Sequence, residues 1–164
     1  MAKSMAYTES TSNENLRALL LKFQTAFCDF VFNSGALAIK TSSSALAKTV
    51  NTINALVDGV LVQKAAADMA ALSGTIATGK KGIFVFTLKA DGTLTTRAGT
   101  LTASALSGIS FPTIPAGEVV IGFIIVENAT GSDFVGGTTA LDTASLTVTY
   151  VNTPFPFNPA IVSL

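Results

Sequence analysis

The chain of 164 residues contains no histidine, no tryptophan and only one cysteine, Cys28. Without histidine, Ser-His and Cys-His nucleophilic pairs are excluded, and transition-metal sites lose their commonest ligand. A single cysteine cannot form an intramolecular disulfide, so packing must hold the fold together. We therefore expect no enzyme activity, no metal site and no cofactor.

Charged residues are scarce as well. Ten basic and ten acidic residues cancel and make up 12% of the chain, against about 25% in an ordinary soluble domain. No run of one sign exceeds Lys80-Lys81, which is too short for a surface that binds nucleic acid or an anionic membrane. We expect neither of these partners, and no small-molecule substrate.

Long hydrophobic runs are absent, although hydrophobic residues reach 49%. The longest run, residues 119–126, has eight residues, whereas a membrane-spanning helix needs roughly 18 to 20. The N-terminus lacks the charged-then-apolar order of a signal peptide. Abundant apolar residues with little charge predict large protein–protein contacts.

The N-terminal third begins with a small, polar segment, residues 1–10, which we expect to be an arm. An amphipathic helix is predicted over residues 11–34, because Thr11-Ser12-Asn13-Glu14 is a capping box. The apolar face of this helix has spacings of three and four: Leu16, Leu19, Leu20, Phe23, Phe27, Phe30 and Val31. Residues 30–32 could equally begin a strand.

Residues 35–152 are rich in Thr, Ser, Val, Ile and Gly, a composition typical of β-strands and turns. A first strand is predicted over residues 36–40. The strongest β-hairpin pattern is residues 83–97, with its turn at Asp91-Gly92. A type I turn with a bulge at Gly92 would place Leu88 opposite Leu94, and alternation favours this register.

A second hairpin is predicted from residues 48–57 and 60–64, across a two-residue turn at Asp58-Gly59. Both hairpins are followed by Ala-Leu-Ser-Gly, at residues 71–74 and 105–108. Either the chain holds a repeat or the same turn chemistry has arisen twice. Two copies are too few for a solenoid.

Two further strands follow. Residues 119–126 are apolar on both parities, as in a central strand covered on both faces, and residues 145–151 alternate between apolar and polar. Together these patterns predict a mainly β fold: an antiparallel β-sandwich, Ig-like or jelly-roll-like, with one N-terminal amphipathic α-helix and extended terminal arms.

The C-terminal segment, residues 153–164, contains three prolines, which exclude a helix or a central strand. We expect an extended arm. Its apolar side chains must dock either on the same chain or on a neighbouring molecule, and both possibilities stay open. The residues we expect to make protein contacts lie on the helix and on this arm: Phe23, Phe27, Phe155, Phe157 and Ile161.

One motif invites a chemical interpretation. Residues 74–80, Gly-Thr-Ile-Ala-Thr-Gly-Lys, match a phosphate-binding P-loop through its lysine. Lys81 then stands where the motif needs Ser or Thr, and a strand is predicted where it needs a helix. We interpret the segment as a basic loop before a strand.

At the level of family, the chain resembles virion structural proteins of tailed bacteriophages, namely small β-rich head decoration (cement) or tail-associated proteins. The segments that carry the resemblance lie at residues 37–39, 53–59, 64–68, 82–88, 91–95 and 115–122. The resemblance implies a structural role on the virion, at the capsid surface, after synthesis in the host cytoplasm. Its implied partners are the major capsid protein or other virion proteins, and further copies of itself in a homo-oligomer, for example a trimer.

An alternative function is a tail or fibre component that binds a receptor or glycan. Glycan sites usually use exposed aromatic residues, yet tryptophan is absent and only Tyr7 and Tyr150 are tyrosines. The sequence therefore favours the decoration hypothesis.

Overall fold

The structure, a computed structural model, describes residues 14–19, 29–162 and 164. Residues 14–19 are helical and lie within the helix predicted over residues 11–34, but the helix does not extend to the end of that range. Phe30–Val31 form a strand instead. The apolar residues of this segment fit both patterns, and pairing with a distant strand decides in favour of β.

The described residues fold into a mainly β structure with eleven strands and two short 3₁₀ turns. The strands, in chain order, are β1 (Phe30–Val31), β2 (Leu37–Ile39), β3 (Ala47–Thr49), β4 (Ile53–Val57), β5 (Val60–Lys64), β6 (Thr75–Ile76), β7 (Lys80–Lys89), β8 (Leu94–Ala98), β9 (Glu118–Asn128), β10 (Phe134–Val135) and β11 (Leu146–Asn152). The 3₁₀ turns are Leu106–Gly108 and Pro159–Ile161.

These strands form several antiparallel sheets. The largest has four strands in the order β11-β9-β7-β8, and a three-stranded sheet has the order β1-β4-β5. Two small pairs, β2 with β3 and β6 with β10, complete the described sheets. The β6–β10 pair joins Ile76 to Phe134, a long-range contact that no local pattern could predict.

Both predicted hairpins are confirmed in register. Leu88 lies opposite Leu94, and the Gly92 N–H donates to the Lys89 carbonyl at 3.0 Å, as the bulged turn requires. In the other hairpin Val57 lies opposite Val60. Asp58 and Gly59 both have positive φ, 50° and 75°, which defines the type I′ turn that matches strand twist.

Strand β9 is central and buried on both faces, as predicted. It contains a β-bulge, because Phe86 pairs with Gly122 and Thr87 with Val120, which leaves Ile121 extra. The bulge reverses the parity of the strand. Ile121 and Ile124 therefore face the same side.

Two hydrophobic clusters lie on opposite faces of the four-stranded sheet. The main core packs one face of β7 and β9 against β4 and the small sheets; its largest members include Phe84, Phe86, Ile53 and Phe134. The second core lies on the other face, around Ile83, Val85, Val120, Phe123 and Ile125. Residues of the 99–116 loop and the C-terminal arm cover it.

Two sequence predictions need correction. The strand predicted over residues 48–57 is two strands, because the N–H groups of Val50 and Asn51 both donate to the Gly35 carbonyl and turn the chain between β3 and β4. The arm is not extended throughout. Asn158 caps the 3₁₀ turn by accepting from the Ala160 N–H at 3.0 Å, and Pro159 suits the first position of a helical turn.

Candidate functional site

The C-terminal arm leaves β11 and is fixed to the body by hydrogen bonds from Thr153 and Phe155; the Thr153 N–H donates to the Ile121 carbonyl at 3.4 Å. The Thr153 hydroxyl donates to the Val120 carbonyl at 3.1 Å, and the Phe155 N–H donates to the Val31 carbonyl at 2.7 Å. The arm therefore bridges the four-stranded and three-stranded sheets. This attachment sets the directions of the two aromatic residues that follow.

Phe157 packs on its own chain. Its ring centroid lies 5.6 Å from that of Phe111 and 5.9 Å from that of Phe123. The C-terminal residue, Leu164, packs against the same second core. For both residues the structure shows packing within the chain, which is one of the two alternatives that the sequence left open.

Phe155, in contrast, is exposed to solvent. Its side chain is 65% exposed, and its backbone has φ 75°, the left-handed region that glycine favours. Phe155 also precedes Pro156, and a residue before proline prefers extended conformations. A conformation of this kind costs about 1–3 kcal/mol. The folded state therefore contains an unfavourable backbone conformation at a residue whose aromatic ring is exposed to solvent.

The strand beside Phe155 belongs to a sheet whose outer face, on β1, β4 and β5, is mostly apolar and has no charged residue. Phe32, 46% exposed, follows β1 on this face, since its neighbour Val31 points into the core. Leu56 lies opposite Leu61, which is 71% exposed. The polar residues on the face of β4 and β5 are Asn54 and Gln63, joined by a side-chain hydrogen bond of 3.0 Å.

We call Phe32, Leu61 and Phe155 the exposed apolar surface. Only Phe155 was anticipated as a contact residue. Leu61 was not predicted as a contact residue, although its sequence position indicates exposure. It is an apolar residue on the same face of β5 as the polar Gln63. Phe32 fell within an ambiguous helix-or-strand segment, and only the pairing of β1 with β4 gives its direction.

A groove of about 710 Å³ lies beside the arm, lined by Asp29, Ile114, Pro115, Ala116, Glu118, Val119, Val120, Pro156, Phe157, Asn158 and Pro159. Both of its carboxylates are already engaged in the fold. Asp29 accepts from the Asp58 N–H at 2.6 Å. Glu118 is held by partners on two neighbouring strands, so the groove offers apolar surface rather than acid–base chemistry.

Glu118 ties three strands together at one end of the large sheet. Its carboxylate accepts two hydrogen bonds from Arg97, at 2.9 and 2.5 Å, and one from the Thr87 hydroxyl at 2.7 Å. The Lys89 ammonium lies 3.8 Å away. The hydrogen bonds from Arg97 hold the pKa of Glu118 below its ordinary value, although burial acts in the opposite direction.

The pKa shift of Arg97 is consistent with that of Glu118, because each shift favours the charged form of its group. Hydrogen bonding to Glu118 raises the pKa of the Arg97 guanidinium. Only 4% of the Glu118 side chain is exposed, against 30% for Arg97. A carboxylate that is charged, buried and fully paired in this way is typical of a structural ion pair.

The P-loop-like segment, residues 74–80, contains the short strand β6 and the turn that follows it, and it leads into a strand as interpreted from the sequence. Strand β7 begins at Lys80, where a phosphate-binding loop would lead into a helix. The Lys80 ammonium donates to the Ser104 hydroxyl at 2.7 Å. The Asp133 carboxylate accepts from the Thr78 N–H at 3.1 Å and fixes the loop.

The remaining predicted contact residues are placed only in part. Phe23 and Phe27 lie outside the described residues. Ile161 belongs to the 3₁₀ turn of the arm, and its side chain is likewise outside them. On the helical segment of residues 14–19, Leu16 and Leu19 are 50% and 62% exposed.

Within the described part of the chain, no group of three or more Cys, Asp or Glu residues is arranged to hold a metal ion. Among the same residues, no helix is long and apolar enough to cross a membrane. Comparison with protein-family models, with curated proteins and with solved structures gives no match to this chain.

Proposed function

We propose that this protein is a structural virion protein, a capsid decoration or cement protein that binds and stabilises the shell of the major capsid protein through apolar contacts. It would be made in the host cytoplasm and act at the capsid surface without catalysis. The observation that carries the proposal is Phe155, an aromatic side chain held outward at 65% exposure by a left-handed backbone.

The surroundings of Phe155 support a docking role. Phe32 and Leu61 add exposed apolar area on the neighbouring sheet. A well-packed domain without such a role has little reason to keep an aromatic residue in a costly conformation at its surface. Contacts of this kind, dominated by aromatic anchors, carry most of the free energy in protein interfaces.

The architecture also suits a cement protein. We propose that the two layers sharing the main core form an antiparallel β-sandwich, which gives a rigid body. The arm would then present Phe155 from a fixed position, since Phe157 and Leu164 pack on the second core. A preorganised contact residue lowers the ordering cost of binding.

The experiment is cosedimentation of the purified protein with empty heads assembled from the major capsid protein of the same genome. Saturable binding at a fixed ratio to capsid subunits would support the proposal and give the stoichiometry. Failure to bind heads at any concentration would overturn it. Binding to host-cell glycans by the isolated protein would instead favour the tail or fibre function.

A further inference from the structure

Strand β5 is an edge strand with an unusual exposure. Among the described residues it pairs with β4 alone, and the sheet order β1-β4-β5 ends there. Val60 and Leu61 are 50% and 71% exposed. An exposed apolar edge is a ready template for pairing with another strand, and proteins generally protect such edges.

The other edge strands of the two larger sheets each make a hydrogen bond to a segment outside their own sheet. All five residues of β8 are partly buried, and the Thr96 hydroxyl on this strand donates to the Ala70 carbonyl at 2.7 Å. Beside β11, the Asn152 side chain accepts from the Leu37 N–H at 2.9 Å. At β1, the Val31 carbonyl accepts from the Phe155 N–H of the arm. Strand β5 has no such cover among the described residues.

The hairpin geometry determines which backbone groups β5 offers. Val57 and Val60 flank a two-residue turn and form a hydrogen-bonded pair. Alternation along the strand then directs the N–H and carbonyl groups of Leu61 and Gln63 away from β4. Within the described part of the chain, neither residue makes a backbone hydrogen bond outside the β4–β5 pair.

We infer that β5 pairs antiparallel with β5 of a second copy of the chain, about a two-fold axis at Val62. In this register Leu61 lies opposite the partner's Gln63, and the outward groups form about four hydrogen bonds. The two three-stranded sheets become one continuous sheet. The contact is isologous, as in most symmetric dimers.

Charge supports a second copy as the occupant. The strand contains one charged residue, Lys64, so its sequence presents no like charges directly opposite each other in this register. Each Lys64 lies opposite the partner's Val60, and diagonally within reach of the partner's Asp58. A partner with a strongly charged edge would find no complementary charges on Val60, Leu61, Val62 and Gln63.

The interface is small, since a five-residue strand pair buries less area than a standard stable complex. We therefore expect a dimer that forms at micromolar concentrations and dissociates on dilution. Dimerisation does not depend on binding to heads, so either proposal can fail while the other stands. On a surface that held many copies, the high local concentration would favour pairing.

The test uses the full chain in sedimentation equilibrium from about 5 to 500 μM. The wild type should pass from monomer to dimer. Leu61→Pro removes one outward N–H without breaking the β4–β5 ladder, because proline is tolerated at the solvent side of an edge strand, and should weaken dimerisation at least about tenfold. The control Leu106→Pro, at the first position of a 3₁₀ turn, should behave as the wild type.

Disulfide cross-linking provides a second test that does not depend on whether the Leu61→Pro variant folds. In a Cys28→Ser background, the pair Leu61→Cys and Gln63→Cys should form a disulfide-linked dimer on mild oxidation, and the single variant Leu106→Cys should not. A wild type that stays monomeric to 500 μM would overturn the inference. So would a cross-linking yield no greater than that of Leu106→Cys.

Discussion

Phe155 and Phe157 are separated by one proline and have opposite environments. Phe157 packs against the rings of Phe111 and Phe123, which also contact each other, whereas Phe155 is exposed and has φ 75°. Their positions in the sequence place both on one arm and do not distinguish them. Their difference arises from long-range contacts, namely the second core for Phe157 and the hydrogen bond to Val31 for Phe155.

This contrast predicts effects on stability that differ in size. Phe157→Ala should lower the free energy of unfolding by about 2–3 kcal/mol, because it opens a cavity among packed rings. Phe155→Gly should change it by less than about 0.5 kcal/mol, since the relief of left-handed strain offsets the entropy of glycine. Urea unfolding measures both. Equal losses would mean that Phe155 is also packed in solution.

Glu118 predicts a dependence of stability on pH. Because the folded pKa of Glu118 lies below its unfolded value of about 4.3, its stabilisation is fully present above about pH 5 and is lost as the pH falls through the folded pKa. Glu118→Gln should therefore lower stability at pH 7 by about 1–3 kcal/mol. The difference from wild type should shrink below about pH 5.

Glu127→Gln is the matched control for this prediction. Glu127 lies at the other end of β9 and pairs with Lys81 on β7, but its side chain is 29% exposed, so its loss should be below about 1 kcal/mol. Urea unfolding of the three proteins between pH 3 and 7 gives the comparison. A Glu118→Gln deficit that does not vary with pH would contradict the assigned role.

At the scale of elements, the hairpins were predictable and the bulge was not. Asp-Gly turns and alternating residues are local patterns, and they determine the registers at Asp58 and Asp91. Strand β9 is apolar at every position from Val119 to Val126 except Gly122, so its sequence does not show that parity reverses at Ile121. Pairing with two neighbouring strands decides the face of each residue.

The bulge makes Gly122 essential for close approach. A Cβ at this position would lie 2.5 Å from the Val151 carbonyl oxygen and 2.4 Å from Leu37 Cδ1. Gly122→Ala should therefore cost more than about 2 kcal/mol, because the backbone of β11 must move. Gly59→Ala, with open space around it, should cost about 1 kcal/mol from positive φ alone. Equal losses in thermal unfolding would argue against the tight β9–β11 contact.

At the scale of the whole molecule, the abundant apolar residues lie in two kinds of place. One part of the apolar content fills two cores on opposite faces of one sheet. Another part stays at the surface, in Phe32, Leu61 and Phe155. Composition predicted protein contacts but not their location, because exposure depends on strand pairing and on the path of the arm. The proposed docking role rests on this surface.

The most direct measurement of that role is the affinity of Phe155→Ser for heads, compared with wild type and with Leu106→Ser, a leucine that is 42% exposed elsewhere on the body. Loss of a central aromatic anchor typically costs at least about 2 kcal/mol, or roughly 30-fold in Kd. The account predicts such a loss for Phe155→Ser and unchanged binding for Leu106→Ser. Wild-type affinity in a folded Phe155→Ser protein would contradict it.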